Sequence, residues 1–307
     1  EPAGLFPNSK FSPGAYLRLN PDAAESREPP LLHYLLAGRA AALKTRDPSP
    51  VDALAPAPLP AIPTRPPRAE LAAVVHVFYP ELWPEIDRYL RASDLRLDRF
   101  ITITDLGETS RRLADDLQSR YPEDLVLLMP NHGRDIFPWV ALINAGALSG
   151  YRAICKLHTK RSPHLRDGTQ WRQEMLAGLL PPGRGGQLIE DFLSDGQAGM
   201  LTTAGQRLQG PEWWGANQGR AATLLARAGV APDPQALSFA AGSMFWAKPA
   251  LLSAIARLRL TAQDFEPEQG ATDGSTAHAF ERVLGYLLQA CGQQIRDTTE
   301  LAAARRS

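Results

Sequence analysis

Titratable side chains gather where a predicted core strand ends. In the segment Tyr151–Ser162, strand alternation places Lys156, His158 and Lys160 on one face. A buried strand seldom carries two lysines without anionic partners, so the pattern favours a bound anion such as a diphosphate. The competing interpretation is a solvated strand end with ordinary lysines.

A second candidate segment follows another predicted strand and leads into a helix. It contains Asn131, Gly133, Arg134 and Asp135. Gly133 permits a positive φ or a close approach to a ligand, and the helix N-terminus that follows attracts anions. Arg134 can bind a phosphate with two N–H groups, and Asp135 can accept from a sugar hydroxyl. An ordinary turn, with Asp135 as helix cap and Arg134 in solvent, fits the pattern equally well.

A third segment combines small residues with large apolar ones. Gly242 and Ser243 run into Met244 and Trp246. Sugar-binding clefts use a close backbone and an aromatic wall in this way, which predicts a sugar-binding surface. A buried strand whose aromatic side chains belong to the core explains the same residues.

The fourth segment opens the last predicted helix. Asp273 lies just before the helix, and His278, Glu281 and Arg282 follow at a spacing that places them on one helical face. The opposite face is apolar and carries Phe280, Leu284, Leu287, Leu288 and Cys291. The polar face either lines a cleft or is a solvated face of a capped amphipathic helix.

The first half of the main domain alternates strands with helices. The predicted strands are Ala73–Tyr79, Phe100–Thr104, Leu125–Met129 and Tyr151–Leu157, and the predicted helices are Trp83–Arg91, Thr109–Tyr121 and Pro138–Leu148. This order predicts an α/β fold with a parallel sheet covered on both faces. All strand carboxyl ends then lie at one edge, where such sheets bind ligands. The fully apolar Leu125–Met129 is expected to be central.

The second half is less regular. The predicted helices are Trp171–Leu180, Gly186–Ser194, Pro249–Arg257 and Ser275–Cys291, and the predicted strands are Gly199–Thr203 and Phe239–Trp246.

Composition divides the chain into three parts. Residues 1–50 are predicted to form a small helical appendage, with an amphipathic helix after Pro29-Pro30 that ends near Gly38. Residues 51–69 are rich in proline and predict an extended linker. Residues 70–307 are predicted to form the main α/β domain.

Charge and composition exclude several classes of function. The 33 basic and 33 acidic residues give a net charge of zero, so no nucleic-acid partner is expected. Cys155 and Cys291 lack metal-site spacing and predict buried free thiols. The sequence contains no P-loop, no GxSxG elbow and no zinc pattern. With no signal peptide and no apolar run of about 20 residues, the chain is expected to be cytoplasmic; because it begins at Glu1, an upstream segment could precede it.

Five segments together resemble the rhamnan synthesis protein F family. They are Val75–Pro80, Asn131–Pro138, Lys156–Ser162, Gly242–Trp246 and Asp273–Arg282. The resemblance extends over residues 71–297, and the order of the five segments makes it specific. Residues 16–22 and 32–35 resemble a short helical module found beside many bacterial polysaccharide glycosyltransferases.

The resemblance implies a GT-A-like, Rossmann-type domain with glycosyltransferase activity. It implies transfer of rhamnose or a related sugar from a nucleotide-sugar donor, with dTDP-rhamnose as the expected one. The implied acceptor is an oligosaccharide or lipid-linked glycan in O-antigen, lipopolysaccharide or capsule assembly. Other domains or subunits of a synthesis complex, and a place at the inner face of the cytoplasmic membrane, would accompany this role.

The sequence departs from the usual GT-A pattern at one place. Where an Asp-x-Asp metal motif would end the fourth strand, this chain has Lys156, His158 and Lys160. Cations there would neutralise a diphosphate directly, which predicts transfer without a metal or other cofactor, although a divalent cation is not excluded.

The resemblance also implies roles for the candidate residues. Asp273 is the expected general base, with His278 and Glu281 as alternatives. The expected donor-binding residues are Asn131, Arg134, Asp135, Lys156, His158, Lys160 and Arg282, and the expected sugar wall is Gly242, Ser243, Met244 and Trp246. Two rival hypotheses are a non-catalytic glycan- or nucleotide-sugar-binding module of a synthesis complex and a phosphate-binding enzyme such as a phosphotransferase.

Overall fold

The structure is a computed structural model. It describes residues 58–159, 161, 167–266 and 273–304, together with 11, 16–17, 19–20, 23, 26, 28–38, 41, 43 and 45. The chain divides into two compact units, Glu1–Ala55 and Pro56–Ser307.

The smaller unit contains the short helix predicted after the proline pair. Helix α1, Pro30–His33, continues as one π-helical stretch, Tyr34–Gly38. A small apolar cluster surrounds the buried Tyr16, whose hydroxyl lies 2.8 Å from Nδ1 of His33. Any side chain at Gly38 would meet the Tyr16 ring, which explains the glycine there.

The larger unit is built on a sheet that contains seven strands of the described chain. The strands are β1 Leu71–Val77, β2 Leu97–Thr104, β3 Leu125–Met129, β4 Ala153–His158, β5 Ala198–Thr202, β8 Phe245–Ala247 and β9 Gln294–Asp297. They pair in the order β3-β2-β1-β4-β8-β5-β9. Strands β6, Arg207–Gln209, and β7, Ser238–Ala240, form a separate antiparallel pair.

The large sheet is mostly parallel. Strands β3, β2, β1 and β4 run in one direction, and β9 pairs in parallel with β5. Strand β8 runs antiparallel to both its neighbours, β4 and β5. The α/β, Rossmann-type fold class with a mostly parallel central sheet is therefore confirmed.

Helices cover both faces of this sheet. They are α2 Trp83–Ala92, α3 Glu108–Arg120, α4 Ile136–Asn144, α5 Gly168–Leu179, α6 Gly185–Ser194, α7 Gln218–Ala226, α8 Pro249–Arg257, α9 Thr276–Ala290 and α10 Thr298–Ala304. Apolar residues of α4, α7, α8 and α9 fill the core on one face. Those of α2, α3, α5, α6 and α10 fill the core on the other.

The prediction that Leu125–Met129 is a central strand is wrong. Among the described strands, β3 lies at the edge of the sheet and pairs only with β2. Leu127 and Met129 pack into one core, and Val126 and Leu128 pack against the other. A continuous apolar run indicates that both faces of a strand are covered by helices, but it does not indicate whether the strand has one neighbouring strand or two.

The prediction of one strand over Phe239–Trp246 is also wrong. The chain leaves β7, passes through the turn Ala241–Ser243 and enters β8 in the other sheet. Gly242 and Ser243 have φ values of 78° and 56°, which a continuous strand cannot contain.

The segment before β1 packs against the larger unit. Residues 58–67 contain neither helix nor strand. Ile62 contacts the core, the Arg65 guanidinium lies 5.9 Å from the Phe100 ring centroid, and Arg68 pairs with Asp98. Part of the proline-rich segment is therefore a strap on the domain, where composition alone predicted only a linker.

Both cysteines are free thiols, as predicted; Cys155 is buried, whereas Cys291 is only partly buried. Among the described residues, no helix is long and apolar enough to cross a bilayer.

Candidate active site

The candidate site lies at the carboxyl ends of β1 and β4. Parallel pairing sets His76 of β1 opposite His158 of β4, so both side chains share one face of the sheet with Lys156. The core on this face also contains α4, α8 and α9. Polar side chains therefore reach the edge at which open α/β sheets bind ligands.

Lys156 is buried, with 1% of its surface exposed. Its ammonium donates to Oδ2 of Asp135 at 2.5 Å, to the carbonyl of Ser243 at 2.9 Å and to Oγ of Ser243 at 3.0 Å. These three contacts use all three donors of an ammonium group. In this structure Lys156 therefore has no N–H left for the diphosphate that it was predicted to contact, and it instead holds Asp135 and Ser243 in place.

Asp135 occupies the residue before α4 without capping that helix. All residues of α4 are described, and none of their N–H groups bonds to its carboxylate. Burial by itself raises the pKa of Asp135, but His158 and Lys156 nearby outweigh burial and hold that pKa well below its usual range. Because 15% of the side chain remains exposed, the ionised carboxylate stays partly accessible as an acceptor. Such a group is a weak base and a strong hydrogen-bond acceptor.

Two turns with left-handed backbone supply the polar groups around Lys156. Gly133 and Arg134 have φ values of 62° and 57°, and Gly242 and Ser243 have values of 78° and 56°. Left-handed φ is uncommon for arginine and serine. Strained backbone of this kind concentrates at functional sites, where the surrounding structure holds it.

His158 joins the same group through its Nε2 atom. That nitrogen lies 2.8 Å from the carbonyl of Gly242 and 3.9 Å from Oδ2 of Asp135. A carbonyl can only accept, so Nε2 carries the proton. His158 therefore positions the turn at Gly242.

His76 belongs to the group, although the sequence analysis did not select it. Its Nδ1 lies 3.0 Å from Oγ1 of Thr102, and its Nε2 lies 3.0 Å from Oγ1 of Thr104. Burial lowers the pKa of His76 to about 3, so the imidazole is neutral. The sequence did contain a signal for His76. Thr102 and Thr104 lie two residues apart at the end of one predicted strand, and His76 lies near the end of the strand that precedes it in sequence.

Arg134 connects the first turn to α9. Its Nη1 donates to Nε2 of His278 at 2.9 Å, and Nδ1 of His278 lies 2.8 Å from Oγ of Ser275. Because a guanidinium can only donate, Nε2 of His278 accepts from Arg134. His278 could act as a base through Nε2 only after Arg134 released it.

Asp273 holds a loop. Its Oδ2 accepts from the backbone N–H of Ala216 at 2.9 Å, and its Oδ1 accepts from Nδ2 of Asn217 at 2.6 Å. Burial raises the pKa of Asp273, but the hydrogen bonds from Ala216 and Asn217 and the charge of Arg282 lower it overall. The carboxylate is exposed and ionised, and it ties the loop to the start of α9.

Arg282 and Glu281 lie one turn along the same helix. Nη1 of Arg282 donates to the carbonyl of His278 at 3.0 Å and to Oε2 of Glu281 at 3.2 Å. The guanidinium also lies 4.5 Å from the centroid of the Phe239 ring. Arg282 therefore braces α9 against β7.

The remaining predicted site residues are placed elsewhere. Met244 and Trp246 are fully buried in the core on the opposite face of the sheet, where Nε1 of Trp246 donates to the carbonyl of Leu179 at 2.9 Å. The core interpretation therefore describes these two residues, and the structure does not bring them to Lys156. Asn131 is exposed at the end of β3, and Lys160 lies outside the described residues.

The described residues contain no group of three or more histidine, cysteine or carboxylate side chains placed to hold a metal ion.

Comparison with known proteins gives one family and few relatives. The family model described as "Rhamnan synthesis protein F" matches residues 60–293. Two curated relatives, both "Uncharacterized protein WxcX" from Xanthomonas campestris pv. campestris, strains ATCC 33913 and B100, are 37% and 36% identical over 198 residues. Each alignment covers 64% of this chain and 28% of the relative, so the chain corresponds to little more than a quarter of either.

One solved structure shows a distant likeness. It is the mannosyltransferase PcManGT from Pyrobaculum calidifontis in complex with GDP-Man and Mn2+, at 12% identity and a TM-score of 0.39. The alignment covers 92% of this chain and 65% of that chain. A likeness at this TM-score carries no argument about the present site.

Proposed function

Because the chain belongs to the rhamnan synthesis protein F family, we propose that it is a glycosyltransferase that moves rhamnose or a related sugar from a nucleotide-sugar donor to a polysaccharide acceptor. The observation that carries the proposal is the buried group of Lys156, Asp135 and Ser243 at the carboxyl edge of a parallel sheet. A buried lysine is not needed there for stability, because a protein with an apolar residue of similar volume at such a position is often equally stable. We interpret Lys156 and Ser243 as residues that hold the ionised carboxylate of Asp135 in place for hydrogen bonding to a ligand.

The proposed reaction is a direct displacement at the anomeric carbon. An oxygen of the acceptor hydroxyl forms the new bond to that carbon, and the bond between the carbon and the diphosphate oxygen breaks. The diphosphate leaves with the electron pair, and a base takes the hydroxyl proton. Asp273 is the proposed base because it is exposed and ionised, with His278 and Glu281 as alternatives.

The proposed donor site divides its work among the candidate residues. Arg134 and Lys160 neutralise the leaving diphosphate, and Asp135 accepts from a hydroxyl of the donor sugar. Asn131 contacts the donor from the exposed end of β3. Lys156 and His158 act as positioning residues, since their donors are directed at Asp135, Ser243 and Gly242.

We also propose that transfer needs no divalent cation. The carboxylate nearest the strand end, Asp135, is already paired with Lys156, and a metal would have to compete with that ammonium. We expect full activity in excess chelator. Loss of activity that manganese restores would contradict this part of the proposal.

The wider role is proposed at the level of the family. The donor is dTDP-rhamnose, the acceptor is an oligosaccharide or lipid-linked glycan of O-antigen or capsule, and the reaction takes place at the inner face of the cytoplasmic membrane. Since the chain matches only 28% of its curated relatives, partner domains of a synthesis complex form part of this proposal.

Donor hydrolysis tests the proposal. The purified chain is incubated with a panel of nucleotide-sugars at millimolar concentration, and release of the nucleoside diphosphate is measured. We expect hydrolysis of dTDP-rhamnose, its loss in Asp135→Asn, and no change in Glu190→Gln, an exposed carboxylate on α6. Binding of a nucleotide-sugar without hydrolysis would favour the non-catalytic module instead.

A further inference from the structure

We infer that Trp213 is a stacking platform for a sugar ring of the acceptor saccharide; the inference rests on the proposed transferase function and adds an acceptor subsite to it. Trp213 ends the short 3-10 turn Pro211–Trp213, and 44% of its surface is exposed. An exposed indole offers an apolar face on which a ligand ring can stack.

The neighbouring tryptophan fixes the turn that presents Trp213. Trp214 is buried, its ring stacks on Tyr286 with centroids 6.0 Å apart and planes at 16°, and its Nε1 donates to the carbonyl of Pro234 at 3.0 Å. Since Trp214 cannot leave the core without breaking these contacts, Trp213 is held outward. A rigid aromatic surface loses little conformational entropy when a ligand covers it.

The loop after Trp214 is attached to the start of α9. Asp273 accepts from Ala216 and Asn217, and Gly215 has a φ of 54°. A Cβ atom at Gly215 would lie 2.4 Å from Oδ2 of Asp273, so the close approach of loop and carboxylate requires glycine.

A continuous chain of contacts joins Trp213 to the donor-site residues. Arg134 donates to His278, the carbonyl of His278 accepts from Arg282, and Nη2 of Arg282 donates to the carbonyl of Trp213 at 3.4 Å. The backbone of Trp213 is therefore joined to α9 through Arg282. Two side chains, His278 and Arg282, separate it from Arg134, so the turn that carries Trp213 belongs to the same hydrogen-bonded group as the proposed donor site.

The chemistry of the ring selects the ligand. An indole face attracts the weakly positive C–H groups of a pyranose ring, because the π-system is negative at its face. A 6-deoxyhexose such as rhamnose has a methyl group in place of the hydroxymethyl group of the parent hexose, so it offers more apolar surface. A deoxysugar-rich saccharide therefore complements the exposed face of Trp213.

The test measures glycan binding separately from transfer. A rhamnose trisaccharide is titrated against the full chain by ligand-observed NMR. We expect Trp213→Ala to weaken binding about tenfold and Trp213→Phe to weaken it by no more than about threefold, since phenylalanine keeps an aromatic face. Leu59→Ala removes another exposed apolar side chain, on the segment before β1, and should leave binding unchanged.

The outcomes separate this inference from the proposed function. Equal affinity of the wild-type chain and Trp213→Ala, or no binding of the trisaccharide by the wild-type chain, overturns the acceptor subsite. Donor hydrolysis by Trp213→Ala should match the wild-type rate. If the wild-type chain hydrolyses no nucleotide-sugar, the transferase proposal fails, and the binding titration still decides whether Trp213 holds a glycan.

Discussion

The buried pair of Lys156 and Asp135 links the stability of the fold to the proposed activity. Lys156→Met removes the ammonium and leaves Asp135 without its main partner in a mostly buried position. Removing one partner of such a pair is more costly than removing both, so we expect a loss of about 3 kcal/mol in the free energy of unfolding. Urea denaturation of the variant and the wild-type chain measures this loss.

The matched control for that experiment is the double variant Lys156→Met with Asp135→Asn. Because it leaves no unpaired charge, it should recover at least half of the lost stability. It should not recover donor hydrolysis, since the ionised acceptor is gone. Recovered hydrolysis in the double variant would show that the pair is only structural.

The roles of Asp273 as base and as loop anchor can be separated with Asn217. Asp273→Asn removes the carboxylate, whereas Asn217→Ala removes one hydrogen bond to it and keeps the charge. If Asp273 is the base, kcat should fall about 100-fold or more in Asp273→Asn and less than tenfold in Asn217→Ala, with donor affinity nearly unchanged in both. An equal fall in kcat in the two variants would show that Asp273 only anchors the loop and is not the base.

The pH profile of the wild-type enzyme gives an independent check on the base. Because its hydrogen bonds keep the pKa of Asp273 lowered, this carboxylate stays ionised down to about pH 4. The value of kcat/KM should therefore stay level between about pH 5 and pH 7. A fall in kcat/KM toward the acidic end of this range would instead identify a histidine, His278, as the base.

His76 predicts a pH dependence of stability. Its pKa is about 3 in the folded chain because of burial, and about 6.5 in the unfolded chain. Between these values the unfolded state binds more protons, so stability falls as the pH falls through this window, by at most about 1.4 kcal/mol per pH unit. His76→Gln should flatten the slope between about pH 6 and pH 4 in denaturation experiments. An unchanged slope would assign it to other groups.

Several site residues could be selected from sequence because charge on a core strand is unusual. Lys156 and His158 were recognisable in this way, whereas Asp135 was selected from the turn between a strand and a helix. The structure brings the three together. His76 was not selected, because a single histidine in an apolar strand resembles an ordinary core residue. Met244 and Trp246 could not be excluded from the site by sequence alone. Their burial follows from the turn that separates β7 from β8, and that turn depends on how the strands pair in two different sheets.

Among the elements, the turn that leads into α4 depends on Gly133. Its φ is 62°, and a Cβ atom there would lie 2.4 Å from Cβ of Phe137. Gly183 has a φ of 64° with no atom within 4 Å of the added carbon. Gly183→Ala should therefore cost only the backbone strain, about 1 kcal/mol, whereas Gly133→Ala adds a steric clash. We expect the larger loss of stability, and loss of donor hydrolysis, only in Gly133→Ala.

The comparison is read from the two midpoints of urea unfolding. Similar losses in both variants would mean that the turn can shift to accept a side chain. In that case the placement of Arg134 and Asp135 would not depend on the glycine.

Local periodicity predicted the elements of the parallel half well. Strands β1 to β4 and helices α2 to α4 lie within a few residues of the predictions. The last strand and helix, β9 and α10, were missed, as was α7. Strand β9 has four residues and is stabilised by pairing with β5, so its formation depends on a contact distant in sequence.

At the scale of the whole chain, the proline-rich strap before β1 contacts Asp98 and Phe100 near the amino end of β2, whereas the site lies at the carboxyl ends of the strands. Its contacting residues, Ile62, Arg65 and Arg68, are three apart. Three residues per turn is the period of a polyproline II helix, so one side of such a helix can face the domain throughout. Proline content therefore favours a rigid strap, with every third side chain available for contact.

The strap also satisfies a buried carboxylate. Oδ2 of Asp98 accepts from the backbone N–H of Arg68 at 2.8 Å and from the Tyr151 hydroxyl at 2.8 Å. Burial raises the pKa of Asp98, but the bonds from Arg68, Tyr151 and Ala69 lower it overall. Stability from Asp98 is thus present above about pH 4 and is lost as the pH falls through its lowered pKa.

Substitutions at the three-residue spacing test the strap. The variant with Arg65→Ser and Arg68→Ser removes two contacting side chains, and the variant with Ala61→Ser and Thr64→Ser changes two exposed positions of the same segment. We expect the first to lower the free energy of unfolding of the larger unit by about 1–2 kcal/mol, because Phe100 loses its contact with the Arg65 guanidinium and Asp98 loses its ion pair with Arg68. The second should stay within about 0.5 kcal/mol of the wild-type chain. If both variants lowered the free energy of unfolding equally, no particular side of the segment would face the domain. The spacing of three residues between Ile62, Arg65 and Arg68 would then not contribute to stability.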